Sequence, residues 1–494
     1  MKMTHDTKED AGRWRLSAFI DVITASTVSG LMGGCDGRPC FFRVRSSSQR
    51  VSDTVASSPF VTISNEALQG SALDFAFPRD TNLLERCDAF HEWQNVRAQS
   101  GTWPFGRATE SRPTSKCYVR DYSGWNMNGL NFASQDYLSL SSHPEIVAAA
   151  KDAIDEYGVH SSGSSALVGN SSKSLALERN IADFVQVDEA LLFPTGWAAG
   201  FSGIKGLVRA YDHVVMDRLS HACLQVGAQS ATRSVVCFRH LDINHCRQRL
   251  ANIRARDSKG GIILVTESLF SIDSDTPDIQ AMQEIAKEFD ATLVVDVAHD
   301  LGSLGGDGTG HIGLQRMLGK VDLVIGSFSK TFGSNGGFIA TKNAAIKEYL
   351  RFFSPPCTFS AALSPIQIAV ISKSLDIVRS AEGSRLRRKL MANIEFLRAQ
   401  IQQRGMDVYG DPSPIVSVKT GCESLARMMS RELPNLGLIA NLVEFPAVAK
   451  GKARFRLQVM ADHSEEEIVL AADILQRASE LAKDHIGLYS GDPC

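Results

Sequence analysis

Lys330 stands just past an apolar run at 321–325, among Ser327, Ser329 and Thr331 and ahead of Gly333, Gly336 and Gly337. Such a run reads as a buried strand closed by small residues. An amine kept partly out of water at a strand end has a lowered pKa and attacks carbonyls, which is Schiff-base chemistry. The neighbouring hydroxyls can meet a phosphate, and the glycines let backbone approach a flat ligand. An ordinary loop lysine is the competing reading of this stretch taken alone.

Other elements must bring partners to the same edge. Apolar stretches at 190–193, 213–216, 235–238, 261–266, 291–295, 321–325 and 337–341 alternate with helical patterns. Regular alternation of this kind predicts an α/β fold, doubly wound around a mostly parallel seven-stranded sheet. Ligands of such sheets bind beyond the carboxyl ends of the strands. After 190–193 come Thr195, Gly196 and Trp197, opening a helix whose N–H groups can hold a phosphate, unless Thr195 is a plain N-cap. His221 follows the second strand, and Glu267, Ser271 and Asp273 follow the fourth. Asp296, His299 and Asp300 follow the fifth. An aspartate ending a buried apolar strand is costly unless a cation meets it. The protonated nitrogen of a pyridine ring is such a cation.

The remaining chain divides by pattern. Residues 1–80 read as a poorly ordered extension, with Arg38, Arg43, Arg45 and Arg50 among serines giving it an organelle-targeting flavour. Asp21 interrupts its one apolar stretch, which argues against a secretory signal. Residues 81–130 make an N-terminal helical and strand segment, with Leu83, Leu84, Phe90, Trp93 and Val96 on a helical face. A large domain then spans 131–364, with helices expected from about 143 and over 174–185. Residues 365–494 form a smaller α+β domain: a long helix from Pro365 to about Arg404, short strands near 415–418 and 454–459, and a helix over 464–483.

Composition excludes several classes. The 494 residues, 44% hydrophobic, can bury one large core or two to three smaller ones. A net charge of −3 points to neither nucleic acid nor an acidic membrane surface. Ten cysteines without CxxC spacing suit a reducing compartment rather than a zinc site or disulfide scaffold. No apolar run reaches a membrane span. The expectation is a cytoplasmic protein, with a mitochondrion or plastid as the alternative the extension leaves open.

The stretches NFASQDYL, FPTGWAAG, DRLSHACL, TESLFSIDSD, VDVAHDLGSLGGDGTG, GSFSKTFGSNGGF and ARFRLQVMADHS occur in one order across about three quarters of the chain. In that order and spacing they resemble the α-oxoamine synthases, pyridoxal-phosphate enzymes of the type I, aminotransferase-like transferase fold. The resemblance implies an acyltransferase that condenses an amino acid with an acyl-CoA or acyl-carrier-protein thioester, with decarboxylation, to an α-amino ketone. It further implies a homodimer with shared active sites. A transaminase or aldolase-type lyase on the same fold, and a catalytically silent partner subunit, are the alternatives; silent subunits lose the lysine that this chain keeps.

The resemblance also assigns roles. Lys330 binds the cofactor and moves the α-proton, Asp296 pairs with the pyridine nitrogen, and His221 stacks on the ring. His299 and Ser271 lie near the phenolic oxygen, with His299 also steering the acyl donor. Thr195, Gly196, Trp197 and Ser327 hold the phosphate, and Arg456 grips the substrate carboxylate, a task suited to a bidentate fork. Several positions depart from the family pattern. Gln135, in the substrate-binding position, stands where Asn is usual, Val297 replaces an acid, and Ser174 replaces a His. Ala361 and Ala362 replace hydroxyl residues that would reach the partner's phosphate. Asp300 replaces a small or neutral residue, and a carboxylate there could receive a cationic side chain such as arginine's guanidinium. That would place the chain with the saxitoxin-type, arginine-condensing branch.

Overall fold

The structure is a computed structural model that describes residues 63–489, with side chains to residue 486. The N-terminal strands β1 (Ala108–Thr109), β2 (Lys116–Arg120) and β3 (Asn126–Asn131) form an antiparallel ribbon. The expected seven strands follow, within two residues of their anticipated bounds: β4 (Glu189–Phe193), β5 (His213–Asp217), β6 (Val235–Phe238), β7 (Ile262–Glu267), β8 (Thr292–Asp296), β9 (Leu323–Ser327) and β10 (Gly337–Thr341). They join in the order β4-β10-β9-β8-β7-β5-β6. From β9 to β6 all neighbours are parallel, whereas β10 runs antiparallel to both β9 and β4. The chain between β9 and β10 is too short for a crossover helix, so it can only reverse.

Helices cover both faces, so each strand is apolar throughout and its alternation divides residues between two cores. Leu191, Phe193, Val294, Leu323 and Ile325 pack on one side, with Ala198, Ala199 and Leu224 from two covering helices. Ala190, Leu192, Leu293, Val295 and Val324 pack on the other, in a cluster continuous with the C-terminal domain. Each such side chain, fully buried, contributes about 1.5–3 kcal/mol.

The smaller domain is an antiparallel sheet, β11 (Val408–Tyr409), β12 (Ile415–Gly421), β15 (Ala453–Gln458) and β14 (Asn441–Val443) in spatial order, against Glu465–Tyr489. Strand β13 (Leu438–Ile439) leaves it to pair in parallel with β3. The expected long helix after Pro365 is two, Pro365–Arg379 and Ala381–Gln403. Ser380 breaks it: its backbone is extended and its hydroxyl accepts the N–H groups of Glu382 and Gly383.

Residues 1–62 of the expected extension lie outside the described residues. From Ile63 the chain is part of the folded body, earlier than the boundary expected near residue 80. The carbonyls of Leu68, Gln69 and Gly70 all accept from Arg427, which pairs with Glu444 at 2.7 Å, and Glu444 also takes Arg97 at 2.8 Å. The N-terminal helix runs Asp88–Gln99, and Leu83 and Leu84, expected on its apolar face, precede it and are exposed. Among the described residues, no helix is long and apolar enough to cross a membrane.

Candidate active site

The carboxyl ends of β4, β5, β7, β8 and β9 converge, and β15 reaches over them. Asp296 closes β8, buried, its Oδ1 accepting the N–H of Ala298 at 2.9 Å. Burial raises its pKa, against the pull of His221 and Lys330. Lys330, three residues beyond β9, is partly buried. Burial lowers its pKa and Arg456 adds to that, while Asp296 opposes. The carboxylate and the amine stand in each other's field.

His221 caps the helix Ala222–Ala231: its Nδ1 accepts the N–H of Cys223 at 3.3 Å and faces Cys223 Sγ at 3.0 Å. Its own backbone N–H donates to Glu267 at the end of β7. His299 is buried, with Nδ1 3.1 Å from the Tyr137 hydroxyl. Burial, then the cations of Lys330 and Arg456 and the nearby His221, drive its pKa well down, so the ring is neutral.

Arg456 sits mid-strand in β15. With its amide oxygen turned toward the guanidinium, buried Gln458 accepts from Arg456 Nε at 2.7 Å. On the same face Arg454 pairs with Asp273 from the loop after β7. That loop is pinned further into the small domain: Ser274 Oγ donates to the Ile415 carbonyl at 2.8 Å and Ser417 Oγ to the Ile272 carbonyl at 2.7 Å. The strand bearing Arg456 therefore hangs on a loop of the large domain.

Thr195 caps the helix Gly196–Lys205, its hydroxyl accepting the N–H of Ala198 at 3.0 Å. The N–H groups of Gly196 and Trp197 stay outside that bond, at the positive end of the helix dipole. Gly196 abuts Ser327 so closely that a Cβ there would fall 2.3 Å from Oγ. Ser327 Oγ bonds to Ser329 Oγ at 2.7 Å. These donors suit a phosphate, Asp296 suits a protonated ring nitrogen, and Lys330 suits an aldehyde carbon. The residues present fit pyridoxal phosphate.

The other expected residues fare differently. Gln135 and Ser271 are partly buried in the turns after β3 and β7. The Asp300 carboxylate, expected at the substrate, is engaged inside the protein. It is fully buried, Oδ1 accepting from Ser268 Oγ at 2.6 Å and Oδ2 from the His311 N–H at 2.7 Å, with His311 Nδ1 at 2.9 Å. Gly310, at φ +65°, makes room, since a Cβ there would come 2.7 Å from Oδ2. An internal network has consumed the carboxylate. Tyr137, Cys223 and Gln458, given no role from sequence, and Glu267, noted without one, all touch the site.

The aminotransferase class I and II family matches residues 127–475. The 8-amino-7-oxononanoate synthase of Marinomonas sp. (strain MWYL1) is 31% identical over 366 residues, 74% of this chain and 88% of that protein. The chain belongs to this family, and within it to the α-oxoamine synthases. The α-oxoamine synthase is also 29% identical over 404 residues to 4-hydroxy-2,2'-bipyrrole-5-methanol synthase PigH of Serratia sp. (strain ATCC 39006), covering 81% of this chain and 61% of PigH. Serine palmitoyltransferase from S. paucimobilis, solved with PLP and myriocin, superposes with a TM-score of 0.76 at 26% identity, over 82% of this chain and 100% of that one. The Sphingomonas wittichii serine palmitoyltransferase gives 0.76 at 25%, over 82% of this chain and 100% of that one. As an α-oxoamine synthase the chain has the pyridoxal-phosphate-dependent transferase fold, depends on that cofactor and is a transferase.

Proposed function

We propose that this α-oxoamine synthase joins an amino acid to an acyl thioester, releasing thiol and carbon dioxide and leaving an α-amino ketone. The observation that carries the reading is Lys330 and Asp296 in one buried field, with His221, His299 and Arg456 around them. Bound pyridoxal phosphate supplies an electron sink for a carbanion at the amino acid's α-carbon. Lys330 would hold the cofactor covalently and, once displaced by the substrate amine, take the α-proton; its lowered pKa suits both tasks. Asp296 would pair with the ring nitrogen and His221 would cover a ring face. Thr195, Gly196, Trp197 and Ser327 would bind the phosphate. Arg456 would grip the substrate carboxylate, beside Gln135, while Ser271 and His299 would lie toward the phenolic oxygen and His299 would steer the thioester.

A homodimer supports the same site. The loops around 158–170 and 354–362 are tied together, the Ala362 N–H donating to the Gly163 carbonyl at 2.8 Å and Ser161 Oγ to the Ala362 carbonyl at 2.9 Å. On them and the adjoining helix, Leu167, Val168, Phe352, Phe353 and Phe359 are exposed, an apolar face suited to a second copy. With its oxygens taken by Ser268 and His311, Asp300 gives arginine no special advantage among amino acids.

The test is the visible spectrum of the protein with pyridoxal phosphate, titrated with a panel of amino acids and then supplied with acyl-CoA and acyl-carrier thioesters. The expected result is a shifted band with one amino acid and stoichiometric release of thiol and carbon dioxide. A keto acid without carbon dioxide would mark a transaminase, and no band at all a silent subunit.

A further inference from the structure

Tyr137 lies in the turn after β3, fully buried, its hydroxyl 3.1 Å from His299 Nδ1. Burial raises the phenol's pKa, and the Arg456 guanidinium stands close enough for its charge to pull it down. The three residues come from three places: a turn near the N-terminal ribbon, the loop after β8, and β15. The turn itself is rigid. Asp136 accepts the N–H groups of Leu140 at 2.8 Å and Ser141 at 3.0 Å, and the Tyr137 carbonyl accepts the N–H of Ala461 at 2.9 Å, three residues beyond the end of β15.

The chemistry of the donors fixes the proton positions. A guanidinium is a cation with donors only, so the phenol turns its lone pairs toward Arg456 and its single proton is left for His299. A neutral imidazole that accepts at Nδ1 carries its own proton on Nε2. We propose that Tyr137 is a positioning residue, which locks His299 as the Nε2–H tautomer and links it to Arg456 across the two domains. His299 then offers the pocket a hydrogen-bond donor and never a base. Arg456 is held at Nε by Gln458, with the phenol beside it. The inference rests on the proposed function only where turnover is measured.

Two measurements test it on the holoenzyme. The first needs no variant: imidazole nitrogen chemical shifts of the 15N-histidine-labelled protein, with His299 assigned by its loss in His299→Asn. The Nε2–H pattern is expected, and an Nδ1–H pattern would overturn the proposal.

The second is a double-mutant cycle of Tyr137→Phe with His299→Asn. Amino-acid affinity is read from the cofactor's absorbance, and kcat from thiol release. Tyr137→Phe should weaken amino-acid binding about tenfold through Arg456. It should also lower kcat by roughly ten- to a hundredfold. The kcat loss should vanish when His299 is already Asn, whereas the binding loss should persist. Equal kcat losses in both backgrounds, or a Tyr137→Phe protein matching wild type, would sink it. A wild type that forms no ketone would refute the proposed function, while the tautomer and the binding cycle would still be read.

Discussion

Glu267 accepts the backbone N–H of His221 at 2.5 Å, so the end of β7 holds the turn that presents the histidine. The bond is part-buried with a carboxylate as its acceptor, worth roughly 1.5–3 kcal/mol. Glu267→Ala should release the turn and raise the dissociation constant for pyridoxal phosphate by about tenfold or more. Titration of apoprotein with cofactor measures it, and unchanged affinity would show that the Cys223 contacts suffice.

Asp300→Ala should cost stability rather than change substrate choice. The substitution leaves the His311 N–H groups without their acceptor and the Ser268 hydroxyl with only the Asp296 carbonyl at 3.2 Å, a loss of about 3 kcal/mol. Urea unfolding would read the loss directly. The ranking of arginine, alanine, serine and glycine in cofactor spectra should stay the same. A changed ranking would return Asp300 to the substrate.

Lys330 sets a pH dependence. Burial, aided by Arg456 and opposed by Asp296, places its pKa below the ordinary 10.5. Only the neutral amine captures the cofactor, so capture should speed up as pH rises and level off before that ordinary value. Stopped-flow absorbance of reconstitution at a series of pH values checks it. A rate still climbing past pH 10.5 would mean a solvated amine. Lys330→Ala should show no such band at any pH.

His240 gives a stability prediction of opposite sign. Burial opposes its charge, but hydrogen bonds to Asp217 and Asp275, each at 2.9 Å, outweigh it and raise the pKa from 6.5 to about 10. A pKa raised on folding stabilises fully below pH 6.5, and the contribution fades as pH climbs through about 10. Thermal unfolding of the wild type should therefore decline over that window, and His240→Gln should flatten the decline while lowering the plateau. Parallel profiles for the two proteins would exclude the mechanism.

Lys330, Asp296 and the strands bearing them could be read directly because local pattern dictates them: apolar runs bury, and a charge at their ends needs a partner. What could not be read are contacts between residues distant in sequence. Tyr137 and His299 are 162 positions apart, and nothing in either motif says that they touch. Asp300 misled for the same reason, since the groups that take its oxygens are Ser268, just past β7, and His311, in the helix Gly310–Leu314. Leu83 and Leu84 fit a helical face that the chain does not use, because pattern alone does not say where a first turn starts. The break at Ser380 was written in the sequence as an N-cap, but it was hidden inside an otherwise continuous helical pattern.

The pairing of β13 with β3 also bears on how the chain is made. Leu438 lies opposite Leu130, and His463 donates to the Asn131 carbonyl at 3.0 Å across 332 residues of sequence. A ribosome therefore delivers β3 and the adjoining Phe132 long before their cover exists. An early stop codon anywhere ahead of β13 would leave that strand with an open edge and its apolar side chains bare, the kind of surface that draws nascent chains into aggregates.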